Sequence, residues 1–266
     1  MTERAQPRAD WDGAAYHRLG TPQWSWGLRV LDRLVLRGDE VVLDAGCGSG
    51  RLTAELLARL PRGRVLAVDL SQPMLSEAQR QLVVARQRVR FVRADLAALP
   101  LVEAAELVFS NAALHWVLDH DRLFASLFRA LRPGGRLEAQ CGGQPNLSRL
   151  RERAGVLMRS PEFAASFEHW RAPWFFADPE STAERLRNAG FVDVRTSLEP
   201  APTRFEDEAT FRSFLTEVVI ANYLIRLPDE RARARFTDAI VAPALTDDPP
   251  LTLDYWRLNL RARRPM

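Results

Sequence analysis

An apolar run that ends in an acid and then in three glycines at alternate positions constrains the fold of this chain more than any other feature. Residues 41–50 read Val-Val-Leu-Asp-Ala-Gly-Cys-Gly-Ser-Gly. The apolar run is too short for a helix and is rich in β-branched residues, whereas Leu52, Leu56 and Leu60 follow at helical spacing. Because glycine adopts positive φ and has no side chain, a ligand can lie against the backbone beside the positive end of the next helix. The stretch predicts a buried strand, a sharp turn that can cradle a nucleotide, and a helix.

The spacing of these glycines separates two nucleotide-binding families. The dinucleotide fingerprint of dehydrogenases needs a glycine where this chain has Arg51, which weakens a hydride-transfer interpretation. The stretch from Asp44 to Gly50 instead resembles motif I of the class I S-adenosylmethionine (SAM) dependent methyltransferases, an acid followed by Gly-x-Gly-x-Gly. The resemblance implies SAM as cofactor and S-adenosylhomocysteine as product, held by Asp44, Ala45, Gly46, Gly48 and Gly50. A glycine-rich turn without a ligand remains the alternative.

A second apolar run, from Arg64 to Asp69, also closes on an acid and follows one helix later, as a βαβ unit requires. At the end of strand two, the Asp69 carboxylate can accept hydrogen bonds from both ribose hydroxyls of an adenosine, a contact of roughly 1.5 to 3 kcal/mol. The residues after it resemble the family's Asp-x-Ser-x-x-Met-Leu, which implies that Leu70 and Met74 lie near the adenine. An ordinary helix cap with core residues is the alternative for this segment.

Further strand and helix alternations predict a doubly wound parallel sheet with its ligands at the carboxyl ends of the strands. Strand three is expected at residues 90–96, and the family resemblance implies that Asp95 and Leu96 meet the adenine. Strand four is expected at residues 107–112 and strand five at residues 136–141. The turn Leu131-Arg132-Pro133-Gly134-Gly135 resembles the family's Leu-x-Pro-Gly-Gly before strand five. The resemblance implies a seven-stranded Rossmann-like sheet whose last strand is antiparallel, with a helical cap.

The loop after strand four reads Ser110-Asn111-Ala112-Ala113-Leu114-His115-Trp116-Val117. It is neither the Asn-Pro-Pro-Phe/Tyr of adenine and glutamine methylases nor the Pro-Cys of cytosine methylases, which disfavours methylation of nucleic-acid bases. It resembles the trans-aconitate methyltransferase group and the related malonyl-carrier-protein methyl ester-forming enzymes. That resemblance implies a small-molecule carboxylate as acceptor, with Asn111 at the cofactor and with His115 and Trp116 in the substrate pocket.

The N-terminal 40 residues are rich in aromatic side chains. In the resembling family such a segment folds over the cofactor as a lid, which implies that Tyr16 and Gln23 touch SAM. Packing of the tryptophans into the core is an equally good interpretation.

A carboxylate acceptor needs no general base, but it does need a cation, and the expected pocket residues include Arg171 and Arg257. Arg226 is a further candidate, although each arginine alone is more typical of a surface. His115 is the candidate catalytic residue, as a hydrogen-bond donor to a carboxylate or as a base for another acceptor, with a plain pocket wall as the alternative. Trp170, Trp174, Phe175 and Phe176 equally fit a hydrophobic acid.

The chain is expected to divide into six segments. These are a lid (1–40), a SAM-binding core (41–145), a helical insertion (146–177), a core helix and strand (178–204), a helical cap (205–250) and a final core strand (251–266). Within them, helices are expected at 146–170, 179–189, 205–227 and 229–244.

The 266-residue chain has 47% apolar residues, a formal charge of +3 and only two cysteines. No run is long and apolar enough for a membrane span, so we expect a cytoplasmic protein. Because two cysteines are too few for a zinc or iron–sulfur site, we expect no metal. We expect a monomer or a homodimer. Its densest arginine stretch, residues 80–93, lacks interleaved aromatics and favours a solvated face over nucleic-acid binding. The leading hypothesis is a SAM-dependent methyltransferase that forms a methyl ester. Carbon, nitrogen or hydroxyl methylation is the first alternative, a non-catalytic SAM-binding partner protein the second, and a nucleotide-dependent oxidoreductase a weaker third.

Overall fold

The structure is a computed structural model that describes residues 21–266. Its strands are β1 (Val41–Ala45), β2 (Arg64–Asp69), β3 (Val89–Arg93), β4 (Ala105–Asn111), β5 (Leu131–Gly142), β6 (Val192–Pro200), β7 (Thr203–Arg204), β8 (Thr252–Leu253) and β9 (Trp256–Arg263). Its α-helices in the described range are α1 (Thr21–Asp32), α2 (Arg51–Arg59), α3 (Gln72–Gln81), α4 (His120–Ala130), α5 (Ser148–Met158), α6 (Pro179–Asn188), α7 (Glu208–Phe214), α8 (Ala221–Leu224) and α9 (Glu230–Ala244).

The main sheet has seven strands in the order β3-β2-β1-β4-β5-β9-β6. The pairs from β3 to β5 are parallel, whereas β9 runs antiparallel to β5 and is inserted between β5 and β6. The predicted fold class, including the antiparallel last strand, is confirmed. The direction of the winding changes between β1 and β4, and the carboxyl ends of these strands form the crevice in which such sheets bind ligands.

The core lies on both faces of this sheet because successive residues of a strand point to opposite sides. Leu107 and Phe109 of β4 pack in one cluster with residues of α1 and α2, and Val108 packs in the other with Leu123 and Phe124 of α4. All five of these side chains are fully buried. Strands that are covered on both faces have nearly continuous apolar sequences. The apolar run therefore predicts the bounds of β2 correctly.

The Leu-x-Pro-Gly-Gly turn begins β5 instead of preceding it. Leu131 pairs with Ala105, and the ladder resumes only where Arg136 pairs with Leu107, so residues 132–135 are extruded as an irregularity. Gly134 has a φ of 74° there, which is the left-handed conformation that favours glycine.

Two long helices expected from the sequence are interrupted. The helix expected over residues 146–170 ends at Met158, ahead of Pro161, because proline disfavours helical backbone at the preceding residue. The helix expected over 205–227 becomes α7, a π-helical turn at Leu215–Val219, and α8. The wider turn lets Leu215, Val218, Val219 and Ile220 all become buried, which a regular α-helical period would not allow.

The chain forms two compact units. The sheet unit comprises, in the described range, residues 21–144, 174–199 and 257–266, and the helical unit comprises residues 145–173 and 200–256. Within the helical unit, β7 and β8 form a separate two-stranded pair, so the final core strand begins at Trp256 and not at residue 251 as expected. None of the helices in residues 21–266 is long and apolar enough to cross a lipid bilayer. The finer division into lid, core, insertion and cap stays a prediction.

Candidate functional site

The glycine turn (residues 46–50) connects the carboxyl end of β1 to α2. Gly46, Gly48 and Gly50 all have positive φ, at 83°, 53° and 83°. A Cβ added to Gly46 would lie 2.1 Å from the Cβ of Ala113, and one added to Gly50 would lie 3.0 Å from the Cβ of Ala78. A Cβ added to Gly48 would meet no described atom within 4 Å. The first and third glycines are therefore required by packing, and the middle one presents bare backbone to open space.

Asp69 ends β2 beside this turn. Its Oδ2 accepts a hydrogen bond from the Gly48 amide at 2.9 Å, and its Oδ1 accepts one from the Ser71 amide at 2.9 Å. A carboxylate has about four lone-pair positions, so hydrogen bonds from two ribose hydroxyls are compatible with both of these contacts. Asp69 thus orders the glycine turn and the start of α3, and it has the chemistry expected of a ribose ligand.

Asp44 has a different environment, although it precedes the glycine turn by only two residues. Its side chain is 2% exposed, and its Oδ2 accepts a hydrogen bond from the Thr53 hydroxyl at 2.6 Å. Burial raises the pKa of Asp44 to about 7, with the charge of Asp69 adding to the rise and the Thr53 hydrogen bond opposing it. The carboxyl group ties β1 to the first turn of α2. Its cofactor role stays a prediction.

The residues expected at an adenine differ in exposure. Asp95 is exposed, and its Oδ1 accepts a hydrogen bond from the Ala97 amide at 2.9 Å, which caps a short 3₁₀ helix. Leu96 and Met74 are buried at 7% and 3% exposure, whereas Leu70 is 53% exposed. The contact of these residues with an adenine stays a prediction.

Asn111 and Gln23 are brought together although 88 positions separate them in the chain. The Asn111 Nδ2 donates a hydrogen bond to the Gln23 carbonyl at 2.8 Å, joining the end of β4 to α1. A Cβ on Gly27 would lie 2.2 Å from Leu52 Cδ1 and 3.0 Å from Asn111 Nδ2. The close approach of α1 to α2 and to the end of β4 therefore depends on a glycine at this position. The Oδ1 of Asn111 and the Oε1 of Gln23 are both buried without a hydrogen-bond partner among the described residues. Two such acceptors suit a ligand that carries an ammonium group or another donor.

His115 lies in a 3₁₀ turn directly after β4, and it is 8% exposed. Its Nδ1 accepts a hydrogen bond from the backbone amide of Gly142, at the end of β5, with an N–N distance of 3.3 Å. Its carbonyl accepts a hydrogen bond from the Phe175 amide at 2.8 Å. Both contacts fix the imidazole relative to the carboxyl ends of the central strands.

Two rings, Trp116 and Phe176, contact this imidazole, and together with Trp174, which contacts both of them, they form an aromatic box. The His115 ring centroid lies 5.1 Å from that of Trp116 and 5.5 Å from that of Phe176. Trp174 meets Trp116 edge-on and stacks on Phe176, with centroids 6.1 Å apart in each pair. The aromatic residues that the sequence analysis groups together have different packing partners in the structure. Phe175 packs on His120, and Trp170 stacks on Tyr223 in the helical unit.

Arg257 begins the sheet-unit part of β9 and is almost fully buried, at 2% exposure. Its guanidinium lies 4.4 Å from the centroid of the Trp26 ring, and its Nε donates to the Gln140 side chain at 3.4 Å. In the sheet register Arg257 faces Gly142, the residue whose amide contacts His115. We call these five residues, Trp26, His115, Gln140, Gly142 and Arg257, the Arg257 cluster.

The remaining candidates fall elsewhere. Tyr16 lies outside the described residues. Arg171 is exposed and belongs to the helical unit. Ala45 is buried at the end of β1, where its carbonyl accepts the Ser110 hydroxyl at 2.6 Å. Sequence reasoning missed Gln140, which is fully buried and faces Asn111 in the register of β4 and β5. An amide between the apolar residues Ala139 and Cys141, near the carboxyl end of β5, is the signal that could have identified it.

Three observations on the described residues fit a nucleoside-type cofactor with a charged amino-acid tail. The glycine turn presents open backbone, Asp69 stands at the end of the adjacent strand, and two buried amide oxygens lack partners. Within residues 21–266 no group of three or more His, Cys, Asp or Glu side chains is arranged to hold a metal ion.

Comparison with known proteins gives concordant results. A family described as "Methyltransferase domain" matches residues 42–135. A trans-aconitate 2-methyltransferase of Variovorax paradoxus (strain S110) is 36% identical over 203 residues, covering 74% of this chain and 70% of that protein. A trans-aconitate 2-methyltransferase of Acidovorax ebreus (strain TPSY) is 37% identical over 148 residues, 54% of this chain. The chain thus spans about half, 56%, of the Acidovorax relative's length.

The fold also matches solved methyltransferase structures. A phosphoethanolamine N-methyltransferase 2 of Haemonchus contortus in complex with S-adenosyl-L-methionine superposes with a TM-score of 0.62 at 19% identity. The superposition covers 96% of this chain and 57% of that one. At this identity the likeness concerns the fold alone.

Proposed function

Because the chain belongs to the class I SAM-dependent methyltransferases, in the group of the trans-aconitate 2-methyltransferases, we propose that it methylates a carboxylate oxygen of a small molecule. The observation that carries this proposal is the Arg257 cluster. The backbone of the buried Arg257 pairs with Gly142 in the sheet register, and the buried imidazole of His115 accepts a hydrogen bond from the Gly142 amide. A cation and a polar donor at one buried place are the groups that recognise an anion.

On this proposal, the glycine turn and Asp69 hold the nucleoside of SAM. The side-chain oxygens of Asn111 and Gln23, which lack partners among the described residues, accept hydrogen bonds from its ammonium group. SAM, the cofactor of this family, supplies when bound a methyl group on a positively charged sulfur. The chain's own residues must then orient an acceptor toward that methyl group, in line with the bond that breaks. Holding two reactants in such a geometry can contribute roughly 7 to 11 kcal/mol.

The acceptor itself needs little activation. A carboxylic acid with an ordinary pKa near about 4 is an anion at neutral pH, so its oxygen is already a nucleophile. Arg257 would pair with that charge, and His115 would donate a hydrogen bond. The aromatic box excludes water from the reacting oxygen and offers flat apolar surface to the body of the acid.

Trans-aconitate, the acid in the relatives' names, is the first acid to test, and aromatic or unsaturated monocarboxylic acids are the second group. The protein is incubated with each acid and with SAM that carries a labelled methyl group, and the product is treated with mild alkali. We expect the label to appear as volatile methanol, as from a methyl ester. A label that stays in a non-volatile product would mean methylation of carbon, nitrogen or a hydroxyl. Binding of SAM without turnover on any acceptor would mean a non-catalytic partner protein.

A further inference from the structure

We propose that His115 is a fixed hydrogen-bond donor to the acceptor and takes no proton from it, because the Gly142 amide holds its Nδ1 as a hydrogen-bond acceptor. The inference deepens the proposed function and rests on it for the identity of the acceptor. It concerns the role of His115, for which the sequence leaves donor, base and plain pocket wall open.

The chemistry of the contact determines the tautomer. A backbone amide can only donate, so the ring nitrogen that faces it at 3.3 Å must offer a lone pair. A neutral imidazole with a lone pair on Nδ1 carries its proton on Nε2. The other tautomer and the imidazolium would both place an N–H of the ring against the N–H of Gly142, in a place where the ring is only 8% exposed.

The Gly142 amide has little freedom to turn away. Gly142 is paired with Arg257 across the antiparallel β5–β9 ladder, and the next residue, Gly143, bridges to Ala177. A Cβ on Gly143 would lie 2.6 Å from Leu258 and 2.7 Å from Leu198, which shows how closely the surrounding chain packs. The amide that selects the tautomer is therefore part of the rigid sheet.

Two titratable or charged groups on the strands beside the Gly142 contact bring no negative charge that would favour an imidazolium. From β5, Cys141 is a buried thiol whose pKa burial raises to about 12, so it carries no charge at neutral pH. From β9, Arg257 is a cation opposite Gly142. Phe175, which donates its amide to the His115 carbonyl, and Phe176 bring no charge from the segment packed against the ring.

The consequence is a preference for acceptors that need no base. Methylating a carboxylate releases no proton, since the oxygen supplies the electron pair of the new O–C bond and the pair of the broken S–C bond stays on sulfur. Methylating a hydroxyl or an ammonium group releases a proton that something must accept. With Nδ1 engaged by Gly142 and Nε2 protonated, His115 can stabilise the first kind of acceptor but cannot deprotonate the second.

Ring-nitrogen NMR of the free protein tests the tautomer without any acceptor. The chain has four histidines, and the signal absent from His115→Gln identifies His115. In two-bond proton–nitrogen spectra between about pH 6 and 8, where a free histidine titrates, we expect a neutral ring with the proton on Nε2. A proton on Nδ1, or an imidazolium at pH 7, would overturn the proposal. Failure to form any ester would overturn the proposed function, whereas the tautomer of His115 is decided by the NMR spectra alone.

A matched pair of variants tests the role in turnover. His115→Gln keeps an amide N–H that reaches about as far as Nε2, whereas His115→Leu keeps the bulk and has no donor. For the acid we expect a loss in kcat/KM of less than about tenfold for His115→Gln and of about 100-fold for His115→Leu. A general base would instead make both variants equally deficient, by about 10² to 10⁴ in kcat, and that result would contradict the proposal.

Discussion

The glycine turn with Asp69 and the Arg257 cluster are both at the carboxyl ends of the central strands, but they are encoded in very different ways. The first comes from one contiguous βαβ unit, residues 41–74, and consists mainly of backbone. The second combines Trp26 of α1, His115 after β4, Gln140 and Gly142 of β5, and Arg257 of β9. A site made of backbone is fixed by local sequence and suits a constant cofactor. A site made of distant side chains can change one residue at a time and suits a variable acceptor.

The largest expected effect concerns the packing of the glycine turn. Gly46→Ala would place a methyl group 2.1 Å from Ala113 Cβ at positive φ, so we expect the free energy of unfolding to fall by about 2 to 4 kcal/mol, with loss of SAM binding. Gly48→Ala is the matched control, because its Cβ enters open space and only the backbone strain of about 1 kcal/mol remains. Chemical denaturation and calorimetric SAM titration measure both quantities. Equal stability losses in the two variants would contradict the packing argument.

Asp69→Ala removes the acceptor of the Gly48 and Ser71 amides together with the expected ribose ligand. We expect SAM to bind at least about tenfold more weakly, with Asp69→Asn in between because an amide retains one acceptor oxygen. Titration calorimetry gives the affinities, and circular dichroism confirms that each variant is folded. An unchanged affinity for Asp69→Ala would remove Asp69 from the cofactor site.

Trp174→Ala tests the aromatic box. We expect KM for the acid to rise by about five- to tenfold, since removing one ring of a pair forfeits about 1 kcal/mol or more, while SAM affinity is unchanged. The neighbouring variant Phe175→Ala is the control, because Phe175 packs on His120, outside the box. It should lower stability and leave KM alone. The reverse pattern would mean that the box does not face the acceptor.

A pH dependence of the free energy of unfolding is also expected to originate at Asp44. Its folded pKa of about 7 lies above the unfolded value of about 3.9, so the folded state binds this proton more tightly. The stability that the folded protein gains from this proton is fully present below about pH 4 and is lost as the pH rises toward 7. Asp44→Asn should therefore flatten the decline in the free energy of unfolding between these pH values. If the free energy of unfolding, measured by chemical denaturation, falls with pH equally in both proteins, Asp44 is ionised throughout this range.

Local patterns predict the first site far better than the second. The bounds of β2 and the acid at its end follow from an apolar run buried on both faces, and the glycine spacing predicts the turn. The contact between Trp26 and Arg257, in contrast, depends on how α1 and β9 meet across the sheet, and no local period encodes it. The same limit explains the π-helical turn at Leu215–Val219, where burial of one additional residue outweighs the regular helical period.

Comparing SAM affinity with acid turnover in Arg257→Met tests the separation of the two sites most directly. Methionine preserves much of the buried length without the charge, and Arg257→Lys, which keeps a charge but not the planar fork, is the matched control. We expect Arg257→Met to bind SAM within about twofold of the unmodified protein and to lose about 10² to 10³ in kcat/KM for the acid, with Arg257→Lys intermediate. If SAM affinity falls by the same factor as turnover, Arg257 serves the cofactor and the acceptor carboxylate is bound elsewhere.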